Sequence, residues 1–243
     1  MVEVIFYKAI IYFNEVMHMN TNNPKFGGTI RFKEIMKELN KHLDDLSNLV
    51  ITMIQNGNKA LVQDDEELFK ELEEELKEVH DHCYAIDETV MSSIALHQPF
   101  AKDLRFILST IKVTNEIHRS AHDAVHIANS SEFINKGENK GIVKRIEEIA
   151  IKASSMFKDS IDAFRNQKEL NIKKWTKFDD EVDKLHADII SDVSDLIEKD
   201  ATWSRAGVSL ILTSRYIERI ADHACNIVEE SNYVVTGKRV KIE

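Results

Sequence analysis

Two acidic side chains one helical turn apart are the clearest chemical feature near the carboxyl end of the sequence. Glu218 and Asp222 lie in the segment RYIERIADHACNIVEE, where a spacing of four residues places both carboxylates on one face of a helix. Two carboxylates so close together repel each other unless a cation neutralises them. That cation is either a metal ion or an arginine of the same segment, Arg215 or Arg219, and the acidic pair alone does not decide between them.

Two histidines occupy the matching positions 100 residues earlier. His118 and His122, in EIHRSAHDAVHIA, repeat the spacing of Glu218 and Asp222. Imidazole and carboxylate groups differ in charge, but both are common metal ligands. One copy has histidines and the other has carboxylates at the same two positions. We interpret this as evidence for a metal site in each copy, because two surface positions without a function would have no reason to change together from one ligand type to another.

Further ligand candidates lie in the segment that precedes each of these motifs. When the Glu-Val pair of LKEVHDHCYAID is aligned with that of FDDEVDKLHADI, His80 falls opposite Asp183 and Cys83 opposite His186, both at an offset of 103. The connection between the second and third helices would absorb the difference of three residues from the offset of 100. Three imidazoles and a thiolate form the ligand set of a tetrahedral zinc site. The zinc ligands predicted for the first copy are His80, Cys83, His118 and His122.

The second copy predicts a harder, oxygen-rich site that suits magnesium, manganese or iron. Its predicted ligands are Asp183, Glu218 and Asp222, with Asp180 and His186 as further candidates one turn to either side of Asp183. Imidazole binds a metal only when it is neutral, so the first site should release its metal as the pH falls toward and below about 6.5. Whether the thiol of Cys83 in the first copy is a metal ligand stays open.

Apolar residues at steps of three and four predict the helices that carry these groups. The first amphipathic helix is predicted over Phe32–Ile54, with Gly57 and Asn58 ending it. A second helix is predicted from about Leu61 to Leu96, before a Gln-Pro pair, and a third from Ala101 to about Asn129. No strand alternation or hairpin signal interrupts this pattern.

The helical pattern then restarts after a break that contains Asn135, Gly137 and Gly141. The apolar spacing of the first helix recurs 111 residues later, and several residues of the third helix recur 100 residues later. A repeat of this size predicts two similar helical bundles. In the second copy, helices are predicted from Val143 to Phe164, Phe178 to Glu198 and about Arg205 to Tyr233.

We therefore predict an all-α fold of two tandem three-helix bundles, over residues 30–134 and 142–243. Residues 1–29 precede them as a leader and linker. Charged residues interrupt the apolar runs of residues 1–18, and no basic start or small-residue cleavage site follows, which argues against a membrane span or a signal peptide. An appended leader and a short amphipathic helix are both compatible with this stretch.

The overall composition is that of a globular protein, and its cysteines favour a cytoplasmic location. Hydrophobic residues make up 43% and charged residues 30% of the chain, as in a globular domain. The formal charge of −10 argues against a nucleic-acid binder. Cys83 and Cys225 lie far apart and show neither disulfide nor zinc-finger spacing, which indicates reduced thiols.

The motifs resemble those of the PhoU family. YIERIADHACNIVEE is similar to that family's metal motif with both ligands intact, and EIHRSAHDAVHIA resembles its partner motif with both ligands replaced by histidine. ALHQPFAKDLRFIL resembles the family's helix connection around a Gln-Pro pair. The resemblance covers the chain from about Ile30 to the carboxyl terminus, and it is most specific in the third helix of each copy.

The resemblance implies a regulator that restrains phosphate uptake and phosphate-responsive signalling. Its partners would be the ATPase of a phosphate ABC transporter and a phosphate-sensing histidine kinase, so contact with the membrane would be peripheral at most. A homodimer is left open. The sequence shows no nucleophile with a matched base and no Gly-rich phosphate loop, so we expect no enzymatic activity.

Two other classes of protein are alternatives. A ferritin-like metal-binding or metal-storage bundle would require Glu-x-x-His pairs on two helices, whereas the nearest spacing here, from Asp183 to His186, occurs once. A metal-free helical interaction module would require the match between histidines and carboxylates to be accidental.

Overall fold

The computed structural model describes residues 30–63, 66–130 and 140–242. Six α-helices and one turn of 3-10 helix account for the secondary structure of these residues, which include no strand. The leader predicted over residues 1–29 lies outside the described residues, as do Asn135 and Gly137 of the predicted break. The predicted boundaries of the two bundles therefore stay a prediction.

The first bundle consists of three long helices that pack against one another. Helix α1 runs over Ile30–Gln63, α2 over Glu66–His97 and α3 over Ala101–Asn129. The apolar stripe predicted for the first helix forms the centre of this bundle, because every third or fourth residue of α1 faces α2 or α3. Fully buried members of this stripe include Leu39, Leu43, Leu46 and Val50.

The prediction that Gly57 and Asn58 end the first helix is wrong, because α1 continues to Gln63. A Cβ atom on Gly57 would lie 2.6 Å from the carbonyl oxygen of Ala124 in α3. The glycine therefore permits close approach of two helices rather than a change of backbone direction. The predicted start of the second helix at Leu61 is wrong for the same reason, since this residue still belongs to α1.

The second bundle repeats this arrangement. Helix α4 runs over Lys140–Arg165, α5 over Ile172–Lys199 and α6 over Ser204–Thr236. Gly141, expected in the break, lies in the first turn of α4. Helix α5 begins six residues before the predicted start, because the side chain of Asn171 accepts a hydrogen bond from the backbone N–H of Lys174 and caps the helix.

The connections between the second and third helices explain the two different repeat offsets. In the first bundle, three residues, Gln98–Phe100, separate α2 from α3. In the second bundle, Asp200 leads directly into a turn of 3-10 helix over Ala201–Trp203. The second bundle therefore has two fewer linking residues before this turn, and its middle helix ends one residue earlier after the shared Glu-Val pair. Together these three residues account for the change of offset from 103 to 100, close to the connection where the sequence predicts it.

The two bundles contact each other through α3 against α6 and through α1 against α4. Phe106 of α3 and Phe164 of α4 stack with ring centroids 5.3 Å apart. The helices that carry the two histidines and the two carboxylates are therefore direct neighbours. None of the helices in the described part of the chain combines the length and the apolar run that crossing a bilayer requires.

Candidate metal centres

Three of the predicted ligands in the first bundle converge on one point. His80 projects from α2, and His118 and His122 project from successive turns of α3. One ring nitrogen from each lies within 4.8 Å of those of the other two. Nitrogens bound to one tetrahedral zinc ion lie about 3.3 Å apart, given Zn–N bonds of about 2.0–2.1 Å. Small rotations of the side chains would therefore allow a common ion to bind, and we call these three residues the histidine cluster.

The surroundings of the histidine cluster favour neutral imidazoles. Burial lowers the pKa of His118 and of His122, and the neighbouring rings lower both further. The Nε2 atom of His118 is buried and has no hydrogen-bond partner in the described residues. A buried polar atom without a partner is costly, so this nitrogen fits a site that is completed by a bound ion.

Cys83 lies outside the histidine cluster, although the sequence predicts it as a fourth ligand. Its side chain is half-buried and packs against the apolar core. Burial raises the pKa of the thiol to about 11, and Asp87 contributes to the same shift. The cluster that the structure assembles therefore contains three imidazoles and no thiolate.

The carboxylates of the second bundle converge in the same way. Asp183 projects from α5, and Glu218 and Asp222 project from α6, with one oxygen from each within 4.8 Å of the others. We call these three residues the carboxylate cluster. The member from the middle helix is exposed in both clusters, and those from the third helix are more buried.

Electrostatic repulsion within the carboxylate cluster favours a bound cation. Burial raises the pKa of Glu218 to about 7, and the charge of Asp222 adds to this shift. Arg215 forms an ion pair with Oε1 of Glu218 and opposes the shift. The other carboxylate oxygen, Oε2, is buried without a hydrogen-bond partner among the described residues. This oxygen corresponds to the unpartnered nitrogen of His118 in the first bundle.

The structure adds Asp179 to the surroundings of the carboxylate cluster, a residue that the sequence analysis missed. Burial raises the pKa of Asp179, and Asp183 and Asp222 raise it further, whereas a hydrogen bond from the Cys225 thiol to its Oδ1 at 3.4 Å opposes the shift. The available signal was the spacing of four residues between Asp179 and Asp183. That spacing equals the one that identifies the acidic pair in α6.

The further candidates Asp180 and His186 do not join the carboxylate cluster. Asp180 is exposed. Nδ1 of His186 lies 2.9 Å from the hydroxyl oxygen of Ser214, which itself donates to the carbonyl of Ile211. Because Ser214 donates its hydroxyl proton to Ile211, its oxygen can only accept from His186. His186 therefore donates through Nδ1 and keeps Nε2 as an acceptor. His186 is therefore held by α6 beside the cluster rather than within it.

A buried polar network lies between the two clusters, where α3 meets α6. His223 lies 2.7 Å from Glu116 through Nδ1, and Asn226 donates to the same carboxylate oxygen at 3.2 Å. The Nε2 atom of His223 lies 3.3 Å from Asp123, at ion-pair distance but outside hydrogen-bond geometry, and Arg219 lies 3.4 Å from the same carboxylate. Asp123 and His223 are equivalent positions of the repeat, and each follows a predicted ligand.

This fold and these sites define a class of all-helical protein in which two tandem three-helix bundles each hold a cluster of candidate metal ligands between the second and third helices. The PhoU domain matches residues 43–131 and, a second time, residues 146–231. The chain therefore belongs to the PhoU family, as the resemblance of its motifs predicts. The predicted all-α fold of two tandem bundles is also confirmed.

Relatives and solved structures agree with this assignment. A protein of Clostridium acetobutylicum named phosphate-specific transport system accessory protein PhoU homolog is 29% identical over 212 residues, which cover 87% of this chain and 97% of that protein. A similarly named protein, homolog 1 of Thermotoga maritima, is 27% identical over 211 residues, covering 85% and 83%.

Two crystal structures share the fold. PhoU from Pseudomonas aeruginosa superposes with a TM-score of 0.80 at 24% identity, covering 85% of this chain and 100% of that chain. The phosphate transport system regulatory protein PhoU from Streptococcus pneumoniae gives 0.77 at 22% identity, covering 86% and 99%.

Proposed function

We propose that this chain is a metal-binding regulatory adaptor that restrains phosphate uptake and phosphate-responsive signalling. The observation that carries the proposal is the similarity, over 87% of this chain, to a protein whose name assigns it to phosphate-specific transport as an accessory. The second match of the PhoU domain supports it, because both bundles keep the family pattern.

The metal-binding part of the proposal is supported by the two clusters. His80, His118 and His122 offer nitrogen ligands that suit zinc, and the carboxylate cluster offers oxygen ligands that suit magnesium, manganese or iron. One buried ligand atom in each cluster, Nε2 of His118 and Oε2 of Glu218, has no partner among the described residues. A bound cation would satisfy both atoms.

Neither thiol of the chain is suited to nucleophilic catalysis. Burial raises the pKa of Cys83 and of Cys225 above the ordinary value of a thiol. A catalytic cysteine requires the opposite shift, because the thiolate is the nucleophile. The family assignment is what supports a protein that acts by contact. We propose the ATPase of a phosphate transporter and a sensor histidine kinase as its partners on the cytoplasmic side.

The test is deletion of the gene, followed by complementation in the same strain. Deletion should raise phosphate accumulation when phosphate is abundant, and the wild-type gene should restore the lower level. A gene that carries His118→Ala and His122→Ala should restore it incompletely if the metal supports the regulatory conformation. Unchanged phosphate accumulation in the deletion strain would contradict the regulatory role, and full restoration by the variant would contradict the role of the histidine cluster.

A further inference from the structure

Within residues 30–63, 66–130 and 140–242, the histidine cluster provides three protein ligands, which leave one position of a tetrahedral metal ion unfilled. Three protein ligands with a fourth, exchangeable position are the pattern of zinc sites that bind small ligands, whereas purely structural zinc sites have four protein ligands. Cys83, the residue whose spacing suggested a fourth ligand, packs against the core and lies outside the cluster. His80 is exposed and His118 and His122 are partly buried, so the cluster lies at the surface of the first bundle.

The charge of the two clusters differs in sign once a divalent cation is bound. Three neutral imidazoles leave the two positive charges of the ion uncompensated. The carboxylate cluster has three ionised side chains, those of Asp183, Glu218 and Asp222. Their three negative charges outnumber the two positive charges of the ion by one. An anion would therefore be attracted to the metal-loaded histidine cluster and repelled from the metal-loaded carboxylate cluster.

The surroundings of the histidine cluster add one positive group. The exposed guanidinium of Arg119 lies near enough to His118 to lower the pKa of that ring. The buried carboxylate near His122, Asp123, is compensated by contacts to Arg219 and His223. A guanidinium close to one of the metal ligands is a suitable second contact for a tetrahedral oxyanion bound to that metal.

We propose that a metal ion in the histidine cluster binds a small inorganic oxyanion, of which phosphate is the one relevant here, at its open position. The proposal rests on the metal binding and the phosphate-related role proposed above. It makes phosphate binding dependent on the metal, since a chain with a formal charge of −10 has little general affinity for anions. It also makes phosphate binding specific to the first bundle.

The test loads the full chain with one equivalent of Co²⁺ or Zn²⁺ in phosphate-free buffer and then adds inorganic phosphate. The visible absorption of Co²⁺ reports its coordination, and equilibrium dialysis with radiolabelled phosphate measures the number bound to the zinc form. We expect a saturable change in the cobalt spectrum and one phosphate per loaded histidine cluster. Metal-free protein should bind phosphate at least tenfold more weakly.

Variants locate the effect within the molecule. Substitution of both His118 and His122 by alanine should abolish the spectral response. Arg119→Gln should weaken phosphate binding by about two- to fivefold, as expected for one exposed charged contact. Arg145→Gln is the matched control, because Arg145 is also exposed but pairs with Asp192 in the second bundle, and it should leave phosphate binding unchanged.

Three outcomes would overturn the proposal. If no Co²⁺ or Zn²⁺ binds, the proposed metal function fails together with this inference. If the metal binds at the histidine cluster, but phosphate leaves the cobalt spectrum unchanged and dialysis detects no bound phosphate, the metal function stands and the oxyanion site is wrong. Loss of the phosphate response in Glu218→Gln/Asp222→Asn, but not in the histidine variant, would place the anion at the other cluster.

Discussion

His118 and Glu218 occupy equivalent positions in the two bundles, and burial drives both side chains toward their neutral forms. Burial lowers the pKa of the imidazole and raises that of the carboxyl, because a low-dielectric environment disfavours charge of either sign. For metal binding, the neutral form has opposite consequences in His118 and in Glu218. A neutral imidazole is ready to bind, whereas a protonated carboxyl must first lose its proton.

The histidine cluster provides the first prediction. The double variant His118→Ala/His122→Ala should lose zinc, because a single remaining imidazole cannot hold the ion, and it should keep the metal of the carboxylate cluster. Elemental analysis of protein purified without a metal-affinity tag measures both. His126→Ala is the matched control, since His126 lies one turn beyond His122, is exposed and stacks on Tyr216 instead. Zinc retained in the double variant would contradict the site.

The raised pKa of Glu218 provides the second prediction. Metal binding to the carboxylate cluster should release a proton below pH 7, so the affinity should fall as the pH decreases from about 7. Calorimetric titration in two buffers with different ionisation enthalpies measures this release. A binding enthalpy that is the same in both buffers at pH 6 would contradict it.

The same shift makes a prediction for the metal-free protein. A carboxyl whose folded pKa lies above its unfolded value contributes stability that is lost as the pH rises from about 4.5 to about 7. Glu218→Gln should therefore increase the free energy of unfolding at pH 8 by about 1–2 kcal/mol while it weakens metal binding. Urea unfolding at pH 8 measures the first effect. A less stable variant would show that the ion pair with Arg215 outweighs burial.

At the level of helices, close contact between α1 and α3 depends on one glycine. A Cβ atom on Gly57 would lie 2.6 Å from the carbonyl oxygen of Ala124, which belongs to the backbone and cannot rotate away. The contact lies near the carboxyl end of α1, at the residue where the sequence analysis ended the helix. Glycine therefore marks a packing requirement here, although its intrinsic helix propensity is low.

Gly57→Ala should destabilise the protein by about 1–3 kcal/mol, because overpacking outweighs the gain of up to about 1 kcal/mol from helix propensity. Gly141→Ala is the matched control, since Gly141 is exposed in the first turn of α4. It should stabilise the protein by about 0.5–1 kcal/mol. Urea unfolding compares the two variants, and a Gly57 variant as stable as the control would contradict the close approach.

At the level of the whole molecule, α3 and α6 join the bundles through charges as well as apolar contacts. Glu230 of α6 is buried and accepts hydrogen bonds from Ser109 at 2.7 Å and Lys112 at 2.9 Å in α3, and it also pairs with Arg239. Burial alone would raise the pKa of Glu230, but these contacts outweigh it and lower the pKa. The ionised side chain therefore links the two bundles.

Because its pKa is lowered in the folded state, Glu230 contributes stability above pH 4.5 that is lost as the pH falls through the folded value. Glu230→Gln should cost about 1–3 kcal/mol at pH 7 and less at pH 4. Glu181→Gln is the control, because its pair with Lys152 is exposed and should matter by less than about 1 kcal/mol. Equal losses at both pH values would contradict the linkage.

The sequence by itself determined the helical class, the repeat and which two candidate ligands share a face in each third helix. These features are local, since the helix pitch alone places residues four apart, such as His118 and His122, on one face. The difference between the repeat offsets of 103 and 100 predicted a change of three residues near the connection between the second and third helices. The repeat then related each imidazole to a carboxylate without any knowledge of packing.

Only the tertiary structure decided which residues of the middle helices meet these pairs. His80 reaches its cluster and Cys83 does not, although they lie only about 60° apart around α2. Asp179 lies near Asp222, and the exposed Asp180 lies outside the cluster. The physical reason is that a helical period fixes which residues share a face, whereas the rotation of one helix against its neighbour depends on how all the buried side chains pack together.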